Sequence, residues 1–60
     1  MKEITIKLFD LDNDAFIENQ EEEIGDLLVE LGMNIQRGYC PAKLKDTNGN
    51  TVGTVEYREE

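Results

Sequence analysis

The sequence predicts a two-layer α+β fold of the order β-α-β-β, with one helix packed on one face of a three-stranded, mostly antiparallel sheet. Three observations point to it. "EITIKLF" at residues 3–9 alternates apolar and polar side chains with period two. Residues 20–37 repeat their apolar positions at helical spacing. "LKDTNGNTVGTVEY" sets an Asn-Gly pair between two runs of strand-forming residues.

The first strand, β1 (about 3–9), directs Ile4, Ile6 and Leu8 to one side and Glu3, Thr5, Lys7 and Phe9 to the other, as in a strand covered on one face. The helix α1 (about 20–37) is expected to start at Asn19, with Glu22 as its capping-box partner and Glu21, Glu22 and Glu23 in the first turn, where the dipole favours acids. At about 100° per residue, Ile24, Leu27, Leu28, Leu31 and Ile35 make one apolar stripe. Arg37 suits the last turn, and Gly38 with Pro41 beyond it stops the helix. The hairpin joins β2 (about 42–47) to β3 (about 50–57). A two-residue type I′ turn at Asn48-Gly49 would pair Lys45 with Val52, Leu44 with Gly53 and Lys43 with Thr54. Placing β3 between the others makes every neighbour antiparallel, so the expected order is 1-3-2.

Sixty residues form a single domain, 1–60, too short for a large core, so self-association is a reasonable expectation. The lone Cys40 makes no intrachain disulfide, and no apolar run approaches the roughly 20 residues that span a bilayer. "MKEITIKLF" is charged and alternating, unlike a signal peptide, and a cytoplasmic location is expected.

The net charge of −8 is unevenly placed. Nine acids and no base lie between Asp10 and Glu30, whereas the rest of the chain has six bases against five acids. Such a field repels nucleic acid and anionic lipid and favours basic partners.

Within it, "DLDNDAFIENQE" places Asp10, Asp12, Asp14 and Glu21 at positions 1, 3, 5 and 12 of a calcium loop. Against that reading, position 6 is Ala15 where such loops need Gly, and a strand precedes the segment. The preferred reading is a polar turn that tucks Phe16 or Ile17 under the helix, with calcium binding as the alternative.

The chain has no His, and nothing builds a deep cleft around paired carboxylates, so no catalytic residue and no cofactor are assigned. Val29 and Met33 lie at i and i+4, opposite the core stripe and framed by Glu22, Asp26 and Glu30. Isolated surface apolars are common, but this group also has the composition of a contact patch. Lys7, Lys43 and Lys45 share the uncovered sheet face with Thr5, Phe9, Val52 and Thr54, recognisable as a thin version of a single-strand nucleic-acid platform. Three lysines on so acidic a chain make a solvated face the better reading, and no nucleic-acid partner is expected.

"DNDAF" after an alternating strand, "IGDLLVELGMNI" with Gly38, and "LKDTNGNTVGTVEY" resemble a group of small phage and prophage proteins with a DN-x-AF segment, an amphipathic helix ending in Gly and a D-x-NGN-x-VG hairpin. The likeness covers nearly the whole chain. Departures are the less basic second half of the helix and the particular Val29, Met33 and Cys40. The resemblance implies a phage-borne origin and a βαββ fold, and carries no functional residues with it. Together these readings lead to a non-enzymatic accessory protein acting by protein–protein contact, as an acidic mimic of DNA toward a basic host protein or as a self-associating module.

Overall fold

The computed structural model describes residues 1–59. Its elements are β1 (Glu3–Leu8), a 3-10 turn (Asp14–Phe16), α1 (Gln20–Gln36), β2 (Lys43–Lys45) and β3 (Thr51–Arg58). The sheet order is β1-β3-β2, with both pairings antiparallel, as the pattern predicts.

β1 and β3 run in unbroken register from Glu3–Arg58 to Leu8–Gly53. β2 pairs Lys43 with Thr54 and Leu44 with Gly53, as expected, but Lys45 then faces Thr51. Val52 is therefore an extra residue on β3. A bulge re-aims the side chain it inserts, and Val52 turns away from the open face, where the sequence had put it, into full burial with Phe16 and Leu27.

The turn differs for the same reason. Asp46 N–H donates to the Asn50 carbonyl (2.9 Å) and Gly49 N–H to the Asp46 carbonyl (3.1 Å). Gly49 has φ +86°, and Asp10 is the only non-glycine with positive φ among the described residues. Asn48 thus lacks the left-handed conformation a type I′ turn needs; the connection is a three-residue loop closed by Gly49. β2 is correspondingly shorter than expected.

Packing splits the core into two clusters. Phe16, Leu27 and Val52 form one, beneath Leu11, Ala15 and Ile24. Leu31, Leu44 and Val55 form the other, flanked by Leu8, Ile35 and Tyr57. Of the two candidates for the space under α1, Phe16 fills it and Ile17 is exposed. A Cβ at Gly53 would stand 3.0 Å from the Lys7 carbonyl oxygen and 3.2 Å from Leu44 Cβ, so the central strand needs glycine there.

The helix ends as the sequence indicates. Gly38, at φ +89°, donates to the Ile35 carbonyl (3.0 Å), and Tyr39 donates to that of Asn34 (2.9 Å), the paired closure of a Schellman motif. Its start does not follow expectation: the Asn19 side chain makes no capping bond, and only its carbonyl accepts, from Glu23 N–H (2.9 Å). The capping asparagine is Asn13, whose Oδ1 accepts from Ala15 N–H (2.8 Å) at the 3-10 turn.

α1 also sits off-centre, over β2 and β3. Leu28, expected in the core, is 42% exposed, and Ile4 and Ile6 on the helix side of β1 are 40% and 43% exposed.

Candidate interaction surface

The outer face of α1 is built by helical geometry alone. With Leu27 and Leu31 turned into the core, residues 22, 26, 29 and 33 are carried to the far side and Glu30 to its flank. Val29 and Met33 stand there 63% and 47% exposed, with Glu22, Asp26 and Glu30 also exposed around them. The five residues of the expected contact patch thus lie exposed along one side of α1.

The carboxylates of this face make no ion pair among the described residues. The ion pairs among the described residues are Met1 N-terminus with Glu59 and Arg58 with Glu3, each 3.0 Å. None of the nine carboxylates from Asp10 to Glu30 takes part in them. Spacing adds to the strain, because Glu22, Asp26 and Glu30 follow one another at i+4, where like charges repel.

One flank of this face borders a groove. Asp26 and Glu30, with Glu23, stand on the helix bank, and Lys43 and Lys45 on the β2 side. Its two stretches hold about 440 and 260 Å³. Leu27, Leu31 and Leu44 floor it, so it is a surface cleft above the core rather than an enclosed chamber.

The Asp10–Glu21 segment takes another shape than a calcium loop. Asp10 lies in the left-handed region at φ +55°, which Asp tolerates better than most side chains. Asn13 Nδ2 donates to the Asp10 carbonyl (2.9 Å) and to Asp46 Oδ2 (3.1 Å). Gln20 Nε2 holds the Leu11 carbonyl (3.1 Å). Ala15 has no positive φ, and among the described residues no three Asp, Glu, His or Cys side chains gather as a metal site. Asp10, Asp12, Asp14 and Glu21 therefore do not converge.

The side chain that sequence reading missed is Asp46. It is buried and accepts four bonds: Asn48 N–H (2.9 Å) and Asn50 N–H (2.8 Å) on Oδ1, Asn13 Nδ2 (3.1 Å) and Asn50 Nδ2 (3.3 Å) on Oδ2. Burial pushes its pKa up, but the backbone and side-chain donors of Asn50, then Asn48 and Asn13, outweigh this and hold the carboxyl below its ordinary value. Tyr57 is shifted upward, first by burial and then by Cys40 and Tyr39 nearby; its hydroxyl donates to the Pro41 carbonyl (2.8 Å). Both groups fasten loops to the body of the fold.

On the open sheet face, Lys7, Thr54 and Lys43 form one cross-strand row. With Val52 in the core and Phe9 half-buried, few flat apolar surfaces remain there for stacking a base. Among the described residues, no helix is long and apolar enough to cross a membrane. Comparison of the chain with family models, curated proteins and solved structures finds no match.

Proposed function

We propose that this chain is a non-enzymatic accessory protein of phage type, acting in the host cytoplasm by protein–protein contact through the outer face of α1. The observation that carries the reading is the exposed pair Val29 and Met33 with Glu22, Asp26 and Glu30 around it, in a run of nine carboxylates that make no ion pair among the described residues. Closely spaced like charge destabilises the free protein, and an opposing basic surface removes that cost. The apolar pair supplies a dry centre and the acids a polar rim, the usual division in an interface.

The partner this chemistry fits is a basic host protein that handles nucleic acid. Duplex DNA carries one charge per roughly 1.7 Å of axis. The five carboxylates of α1 from Glu21 to Glu30 extend over about 14 Å at a helical rise of about 1.5 Å per residue. The charge density is lower than that of DNA but of comparable order, which supports mimicry of a phosphate backbone.

The test is affinity capture from a bacterial host lysate, with mass spectrometry of the retained proteins. The control carries Glu22→Gln, Glu23→Gln, Asp26→Asn and Glu30→Gln. A basic protein held by the parent chain and lost with the folded variant is the expected result. Equal retention by both would refute the reading.

A further inference from the structure

The two edges of the sheet are not alike. β2 is three residues long with a bulge beside it, and short or bulged strands resist pairing with other chains. β1 is six residues long, regular in register, and free of proline.

Its open edge is also chemically ready. Phe9 N–H donates to the Val52 carbonyl, while Val55, of the other parity on β3, donates to Ala42 beside β2. In an antiparallel ladder alternate residues bond to alternate sides. Thr5 and Lys7 therefore bond inward to β3, and Ile4 and Ile6 present their N–H and C=O groups at the free edge. The side chains of Ile4 and Ile6 lie on the helix side, each about two-fifths exposed. Leu28 is equally exposed, on the flank of α1 turned away from the β2 groove.

We infer that β1 pairs antiparallel with β1 of a second copy, about a twofold axis at Thr5, to make a continuous six-stranded sheet. In that register Glu3 faces Lys7 of the partner subunit, Ile4 faces Ile6 of the partner subunit, and the twofold repeats both contacts. Charge therefore complements charge on the open face, and apolar meets apolar on the helix side. Shifting the centre to Ile6 sets Glu3 against Phe9 and Thr5 against Lys7; shifting it to Ile4 sets Lys2 against Ile6. Of these three, only the Thr5 register satisfies both faces. A twofold perpendicular to the sheet puts both helices on one side, so Ile4, Ile6 and Leu28 of each copy close a shared apolar floor between them. This surface is separate from the outer face of α1, and its test does not depend on that reading.

Sedimentation equilibrium of the wild-type chain, from micromolar to millimolar concentration, should give a dimer. Lys7→Glu alone and Glu3→Lys alone each set like charges opposite one another at both ends of the paired strands. Mixing the two variants sets opposite charges there. The mixture should dimerise on the order of tenfold more tightly than either variant alone. Circular dichroism checks that each variant folds, because Lys7 faces Thr54 within its own sheet whereas Glu3→Lys exchanges an exposed pair with Arg58 for two like charges. Independently of any variant, wild-type copies carrying different isotopes should show an intermolecular Hα–Hα contact at Thr5. A monomer throughout, a dimer without the Thr5 contact, or a dimer indifferent to these charges but broken by Val29→Glu with Met33→Glu would overturn the inference.

Discussion

Asp46 shows how one carboxylate can tie distant pieces of chain together. It holds the β2–β3 loop through the Asn48 and Asn50 N–H groups and reaches across to Asn13, so the turn after β1 and the hairpin are fixed to one another. Because its folded pKa lies below the unfolded one, its stabilisation is fully present above the unfolded value of about 3.9 and is lost as pH falls through the folded value. Asp46→Asn places an amide N–H₂ where donors converge. The variant should have a lower urea midpoint than wild type at pH 7, and the gap should narrow below about pH 4. A gap that stays constant across that range would show that the negative charge is not what the four donors recognise. Sequence reading passed over this residue because its partner Asn13 is 33 positions away. Within the loop, "DTNGN" announces a turn but not which side chain the turn closes around.

Elements whose signal is local were legible in order, type and approximate extent. The alternation of β1, the apolar period of α1 and the Gly38 stop each need only a few neighbouring residues, and all three stand as expected. What depends on the rest of the molecule was not legible: the sideways placement of α1, which leaves Leu28 out, and the bulge that takes Val52 in. Asn-Gly suits both a two-residue loop and a longer loop ending in glycine, and Asp46 together with Val52 fits the longer one. The five residues of the α1 outer face were readable because a helix wheel fixes them once the core side is known. That same wheel places Asp26 between Glu22 and Glu30 in two like-charged i+4 contacts. Asp26→Asn changes helix propensity little and should raise stability by roughly 0.5 kcal/mol at low salt. Near 1 M salt, where the Debye length falls to about 3 Å, the gain should disappear. Thermal melts of the two proteins at both ionic strengths measure this, and a salt-independent gain would trace the effect to something other than repulsion.

At the scale of the whole molecule, the chain is less compact than its length permits. Its radius of gyration is 12.0 Å, against about 10 Å for a well-packed domain of this size, and its extents are 38 × 19 × 18 Å. Only six apolar side chains are buried among the described residues, while Ile4, Ile6 and Leu28 stay in partial contact with water. A second copy against β1 would enlarge the core without adding to the chain, and would cover the longer of two exposed sheet edges. Folding then becomes bimolecular, and mass action links stability to concentration. With an unfolding enthalpy of about 0.7 kcal/mol per residue, a dimer of this chain that unfolds as one unit has an enthalpy near 80 kcal/mol. Each tenfold rise in concentration contributes about 1.4 kcal/mol, so Tm should climb by about 6 °C per decade. Lys7→Glu weakens the pairing about tenfold without touching either core cluster, so its curve should lie below that of the wild type by about the shift of one decade in concentration. Coincident curves for the two proteins would mean that the copies meet elsewhere than at β1.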